Sequence, residues 1–423
     1  MNQQDVPSWR VLFRIFGHIG LLSFGGPAAQ IALLQRCLVD KQQWLSEQQF
    51  LNALGFCMLL PGPEAMQLAT YAGWRLRGVM GGLLAGLLFV LPGAAVILSL
   101  GILYVLFADI PMIDGIFLGI KATVLIVVIE ALSRVAKRSL HQYKHWCIAA
   151  LAFVGLFFFA LPYPLVVAVA ALYGFFAFRT EPIKGESTPQ RFSPRQTLRT
   201  VAVWLAVWSL PFIAMAYSDH GILHDIGIFF SKLAVVTFGG AYAVLAYMSQ
   251  DIVVQFGWLS AGEMMDGLGL AETTPGPLIL VTEFVAFVAA YRDGGILLGV
   301  IGALVALWVT FVPCFLWIFA GAPYIEWIAA QPRLNGALSA ITAAVVGVIF
   351  NLSLWFSLHV LFFEVAETKI GLLNLWLPTW QSLDARVLCL VILSAITLLR
   401  WHWSIPRVLG VSALLGLGLS SFS

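Results

Sequence analysis

The sequence predicts an all-α polytopic membrane protein made of two homologous helical repeats, inverted relative to each other, each with two broken or re-entrant hairpin segments. Three observations carry that expectation. First, only 10% of the 423 residues are charged and 61% are hydrophobic, whereas a soluble globular chain carries about 25% charged residues. Second, apolar runs such as Gly78 to Phe107 and Met112 to Ala131 exceed or match the roughly 20 helical residues that cross a hydrocarbon core of about 30 Å. Such continuous runs exclude a transmembrane barrel, whose strands are short and alternate. Third, the chain is duplicated. The net charge of +2 gives no reason to expect a nucleic-acid partner; the partner that this composition demands is the lipid bilayer.

In chain order, apolar segments fall at about 11–34, 48–74, 78–108, 111–135, 145–161 and 163–178. The stretch after the polar N-terminus holds Arg14 and His18 with no small-residue cleavage site, so no removable signal peptide is expected. Residues Arg179 to Thr200 are rich in proline and basic side chains, the composition of a solvated loop. A second series follows near 198–217, 224–249, 258–291, 294–321, 334–363, 385–400 and 405–422. The division expected from these runs is an N-terminal repeat 1–179, a polar basic linker 180–197 and a C-terminal repeat 198–423. Cys37, Cys57, Cys147, Cys314 and Cys389 lie far apart, with no CxxC pair and no histidine at ligand spacing, and read as packing residues.

The duplication is visible by direct comparison. Phe24-Gly25-Gly26 recurs as Phe238-Gly239-Gly240 and Trp44-Leu45-Ser46 as Trp258-Leu259-Ser260, both 214 residues on. Pro61-Gly62-Pro63 recurs as Pro275-Gly276-Pro277 at the same offset, giving 8 identities over the 20 positions from Trp44 to Pro63. After a shift of seven, Pro92 meets Pro313, Gly115 meets Gly336 and Lys121 meets Thr342. Basic residues then orient the copies. Arg10 and Arg14 precede the first broken segment, Arg36 and Lys41 separate it from the second, and Arg75 and Arg77 follow the second. All six favour the cytoplasm, which requires both segments to be hairpins that enter and leave on one side. The extra span near 198–217 then inverts the second copy; the rival is a parallel pair whose first segment crosses fully.

Candidate site residues cluster at the breaks. A glycine pair followed by proline interrupts the helical hydrogen-bond ladder, and in transporters such breaks aim half-helix N-termini at an anion near the bilayer midplane. Four breaks qualify: Ser23 with Gly25, Gly26 and Pro27; Pro61, Gly62 and Pro63; Thr237 with Gly239 and Gly240; and Thr274, Pro275, Gly276 and Pro277. Their hydroxyls and amides suit an oxyanion, and tight helix packing is the plainer alternative. Lys121 and Lys232 lie inside apolar segments with no acidic residue within four positions, and either could meet an anion's charge or snorkel. Glu64, Glu272, Glu283 and His18 are proton-coupling candidates, since desolvation favours a neutral carboxyl; an ion pair with Lys121, Arg75 or Arg77 is the alternative. Asn52, aligned with Asp266, is a weaker polar candidate. A membrane-embedded enzyme acting on a lipid or quinone is the alternative from another class, but no HExxH, GxSxG or acid–histidine cluster at ligand spacing is present, so no enzyme, catalytic residue, metal or cofactor is expected. A channel is harder to separate from a transporter, because re-entrant hairpins also build pores.

Phe24-Gly25-Gly26-Pro27, Pro61-Gly62-Pro63 and their repeats resemble the chromate ion transporter family in its long two-domain form, over nearly the whole chain. The resemblance implies chromate as substrate, with efflux across the bacterial cytoplasmic (inner) membrane, driven by the membrane potential or a proton gradient, and chromate resistance. Sulfate, a tetrahedral dianion of similar shape, is the obvious competitor, and a homodimer is one option for assembly. The second copy departs from the pattern, with Ala241 in place of Pro27.

Overall fold

The computed structural model describes residues 7–107, 110–178, 194–216, 221–236, 238, 240–325, 331–371 and 373–420. Thr237 and Gly239 of the expected site, and 180–193 of the expected linker, lie outside the described residues. The described residues are helical nearly throughout. Its first half forms α1 (Trp9–Leu22), α2 (Gly26–Gln35, continued by a π turn Arg36–Lys41), α3 (Glu47–Cys57), α4 (Glu64–Phe107), α5 (Pro111–Ser139), α6 (Tyr143–Phe157) and α7 (Tyr163–Ala177). Helix α8 (Pro194–Met215) begins inside the stretch read as linker.

The second half repeats the order: α9 (Gly221–Val236), α10 (Ala241–Gln250, continued by a π turn Asp251–Gln255), α11 (Ala261–Thr273), α12 (Val281–Gly321) and α13 (Pro332–Leu361). After an antiparallel hairpin of β1 (Val365–Ile370) and β2 (Leu373–Pro378) come α14 (Ala385–Ala395, with a π turn Ile396–Arg400) and α15 (Ile405–Ser420). Among the described residues, five helical stretches are long and apolar enough to cross a membrane.

Local chemistry explains the repeat. The recurring Trp-Leu-Ser is a helix start: Ser46 and Gln49 form a reciprocal capping box on α3, and Ser260 and Glu263 exchange the same two bonds at the start of α11 (2.8 and 3.2 Å). Helices α4 and α12 each reverse at a glycine of positive φ, Gly78 (φ 62°) and Gly295 (φ 78°), where a side chain would be strained. Behind the first reversal, a methyl at Gly73 would strike Gly81 and one at Gly86 would strike Thr70, so the two rods of α4 lie back to back.

The residues group into two compact units that do not follow the halves of the sequence. One takes Met1–Ser99, Thr180–Ala241 and Thr274–Leu334; the other takes Leu100–Arg179, Tyr242–Thr273 and Asn335–Ser423. In the first, α9 and α8 both pack on α12. Trp204 of α8 stacks on Phe315, and Trp308 Nε1 donates to the Val207 carbonyl at 2.9 Å.

The second unit is held by two seams of small residues related by the repeat. Gly115 and Gly119 of α5 meet Gly416 and Ser412 of α15, while Gly336 and Ala340 of α13 meet Gly174 of α7. Gly115 and Gly119 align with Gly336 and Ala340 at the shifted offset. Small residues four apart let backbones approach closely, the main source of helix association where no water is squeezed out. Each half thus lends its last helix to the other half's long helix.

Candidate functional site

The described residues of all four breaks lie in the first unit, in two pairs formed crosswise between the halves. The five described glycines of the breaks have the positive φ that only glycine adopts easily: Gly25 85°, Gly26 78°, Gly62 116°, Gly240 93° and Gly276 93°. The first break of the first half holds the second break of the second half. Ser23 is fully buried; its Oγ donates to the Gly20 carbonyl at 2.8 Å and accepts the Gly276 amide at 3.0 Å. The Gly276 amide also reaches the Ser23 carbonyl at 3.0 Å. Gln30, buried in α2, donates from Nε2 to the Gly276 carbonyl at 2.6 Å and to the Ser23 carbonyl at 3.2 Å. Gly93 in α4 completes the contact by lying flat under the Pro275 carbonyl.

The reciprocal pairing is also present. Gly240 of the second half's first break faces the Glu64 carboxylate, within 3.7 Å of where its Cβ would stand. Glu64 follows Pro63 directly, so this contact joins that break to Pro61-Gly62-Pro63 of the first half. Gln67, fully buried, donates from Nε2 to the Pro61 carbonyl at 2.7 Å. Cys314, aligned with Gly93, sits with its Sγ 2.8 Å from the Cβ position of Gly62. Pro61, Pro63, Thr274, Pro275 and Pro277 are buried beside these groups, whereas Pro27 is half-buried.

The charged candidates are placed differently. Lys121, in the second unit, is ion-paired across helices: its Nζ stands 3.3 Å from Asp266 Oδ1. The Tyr104 hydroxyl donates to Asp266 Oδ2 at 3.0 Å. The Glu272 carboxylate, buried in the same unit, accepts from the Tyr242 hydroxyl at 2.8 Å. Glu283 is 1% exposed in the first unit, and its Oε2 has no hydrogen-bond partner among the described residues. His18 and Lys232 are exposed on their helices, so neither joins the cluster of breaks. Among the described residues no group of histidine, cysteine and acidic side chains could hold a metal ion. Cys37, Cys57 and Cys314 are buried, while Cys147 and Cys389 are exposed.

Sequence reasoning missed Gln30, Gln67 and the role of Asp266. The two amides carry a weak signal: each is a polar residue a turn or so beyond a break, with valine at the aligned position (Val244 and Val281). Asp266 was visible as a charge on an apolar helix, but its partner is 145 residues away and only the fold supplies it.

A duplicated bundle of long apolar helices with paired breaks is the construction of a membrane transporter. The chain belongs to the chromate transporter family, whose model matches residues 10–175 and 224–417; this is a family of transporters, not enzymes. It is 32% identical over 351 residues to a chromate transport protein of Pseudomonas aeruginosa, covering 81% of this chain and 79% of that protein. A probable chromate transport protein of Synechococcus elongatus is 29% identical over 385 residues, covering 88% and 90%. A chromate transport protein of Cupriavidus metallidurans is 28% identical over 342 residues, covering 80% of each. No solved structure matches the chain.

Proposed function

We propose that the protein exports chromate across the bacterial cytoplasmic membrane by alternating access and so confers chromate resistance. The observation that carries this reading is the crosswise closure of the breaks. The Gly276 amide that an oxyanion would need is held by Ser23, and the Gly276 carbonyl by Gln30, so in this conformation the protein's own groups engage the break. Breaking a handful of hydrogen bonds would expose amides and half-helix N-termini to a dianion. Expulsion of a dianion from a cell negative inside is electrically downhill by about 2.3 kcal/mol per charge per 100 mV. Sulfate would compete on shape and charge. Of the proton-coupling candidates, Glu283 is favoured by its burial and its unpartnered oxygen.

Charge and geometry in the second unit support inverted repeats. The α6–α7 connection and the turn at Asp251 line one polar cavity of about 420 Å³, with Tyr163, Tyr247 and Asn351. The β-hairpin joins the same end, since the Asn374 amide donates to the Phe158 carbonyl at 2.7 Å. That end carries Asp251, Glu364, Glu367 and Asp384 against Lys369 and Arg386. The far end of α6 carries Lys144, and the adjoining end of α5 carries Arg134, Lys137 and Arg138, which favour the cytoplasm. The Asp251 turn therefore faces outward, while its first-half equivalent, between Arg36 and Lys41, faces inward on its own charges.

The test is labelled chromate uptake into inside-out membrane vesicles, with and without an imposed potential and with excess sulfate. Saturable, potential-driven accumulation is expected; no accumulation above empty vesicles refutes chromate as substrate, and non-saturating flux identifies a channel.

A further inference from the structure

We propose that Asp266 is the substrate's competitor for Lys121: its carboxylate holds the ammonium when no anion is bound, and it gives the ammonium up, taking a proton, when an oxyanion arrives. This rests on the proposed oxyanion transport and on Lys121 meeting the anion's charge, the alternative to snorkelling that the sequence leaves open. The geometry is that of a releasable pair. Asp266 is deeply buried, with 5% of its side chain exposed, whereas Lys121 keeps 27%, so the lysine can be approached while the carboxylate cannot. Access to the ammonium is preserved by Gly262, where even a Cβ would stand 3.3 Å from Nζ. The second oxygen of Asp266 is fixed by Tyr104, which keeps the carboxylate in place when Lys121 leaves.

A proton must follow the exchange. A carboxylate with almost no exposure, deprived of its counter-ion, is the costly case of a broken buried pair, and protonation removes the charge at that atom. The surrounding titratable groups leave the task to Asp266. From α4 it meets Tyr104, from α5 Lys121, and on its own helix Glu263, whose carboxylate is engaged with the Ser260 amide at 2.8 Å. Helix α15, also packed on α11, brings Arg407 alone, and that guanidinium lies 4.7 Å from the Trp403 ring centroid. The device occurs once per chain, since the repeat places Thr342 and Asn52 at the positions of Lys121 and Asp266. One proton is therefore taken up per anion bound, on the side to which the site is open.

The experiment is equilibrium binding of labelled sulfate, which stays a dianion, and separately of labelled chromate, to the purified full-length protein across the mildly acidic to neutral range. Chromate is counted as free dianion, because chromate itself takes up a proton in this range. Uptake of one proton makes binding about tenfold tighter for each unit fall in pH over the titrating range. Asp266→Asn should bind tightly with no pH dependence, Asp266→Glu should keep the slope, and Tyr104→Phe should keep the slope while moving its midpoint. A wild-type protein whose binding ignores pH, or an Asp266→Asn variant that retains the slope, overturns the proposal. If Asp266→Asn does not fold, the wild-type and Asp266→Glu slopes decide. Wild-type affinity in Lys121→Gln overturns the reading of Lys121 itself, a separate failure from loss of the slope.

Discussion

Replacing Gly93 with alanine should cripple the protein, although the change is one methyl group in a helix and raises helix propensity. A Cβ at this position overlaps the Pro275 carbonyl oxygen and stands 2.6 Å from Leu280 Cδ1 and 3.0 Å from the Pro275 carbonyl carbon. Leu280 can rotate, but a backbone carbonyl in a Pro-Gly-Pro turn cannot, so the helix or the turn must move by roughly an ångström to regain contact distance. Overpacking of this kind costs about 1–3 kcal/mol, and a backbone obstacle puts it at the upper end. The shift also strains the bonds from Gly276 to Ser23 and from Gln30 to Gly276, worth about 1 kcal/mol each. The sum is about 4–5 kcal/mol, a large part of what holds an ordinary domain together. Thermal unfolding of the purified protein, followed by fluorescence-detected size exclusion, should show a clear drop in midpoint, and chromate uptake should fall with it. Cys314→Ala at the aligned position only removes a sulfur and should cost about 1 kcal/mol. Equal melting and uptake in Gly93→Ala and wild type would refute the tight contact between breaks.

Two further outcomes follow from single side chains. Asp384 caps α14, accepting from the Arg386 and Val387 amides at 2.9 and 3.4 Å and from the Arg386 guanidinium. Burial alone would raise its carboxyl, but the Arg386 bonds and charge and the two amides outweigh it and hold it below the usual carboxylate range. Its stabilisation is thus complete above the unfolded value of about 3.9 and is lost as pH falls through the lower folded value. Asp384→Ala should cost about 1 kcal/mol at neutral pH, and the gap to wild type should close on strong acidification; a gap that does not change with pH contradicts this. Glu283→Gln should fold at wild-type yield while losing any stimulation of chromate uptake by an imposed proton gradient, and stimulation that survives removes Glu283 from proton coupling.

The helical membrane class, the duplication and the four breaks were legible because each depends on local rules: apolar runs set the spans, and glycine with proline sets the breaks. The reversals at Gly78 and Gly295 were visible only as boundaries between apolar runs, since sequence does not say whether a glycine kinks a helix or folds it back. The β-hairpin at 365–378 was missed; its alternation around Gly371 is short and lies between long spans that dominate any hydropathy reading. What pairs with what was not legible. Ser23 was singled out for a ligand, yet its hydroxyl is engaged by Gly20 and Gly276. Lys121 looked unpaired because only sequence neighbours could be inspected, while Asp266 arrives from the other half.

The exchange of partners between halves has a consequence for folding. Within the second unit α15 packs on α5, and Gly174 of α7 packs on Gly336 and Ala340, so each small-residue seam joins one half to the other. The contact of Ser23 and Gln30 with Gly276 joins the halves again in the first unit. A half expressed alone keeps its spans, since membrane insertion depends on local hydrophobicity, but leaves Gly115 and Gly119, or Gly336 and Ala340, without the close backbone that they accommodate. Such surfaces associate by packing and have no hydrophobic drive of their own in lipid. Residues 1–179 and 198–423 expressed separately should therefore insert yet aggregate or be degraded, whereas the two co-expressed should recover a complex that co-purifies and takes up chromate. A half that is monodisperse alone, with a melting midpoint equal to that of the intact chain, would show that the exchanged seams contribute little and that each repeat is a folding unit in its own right.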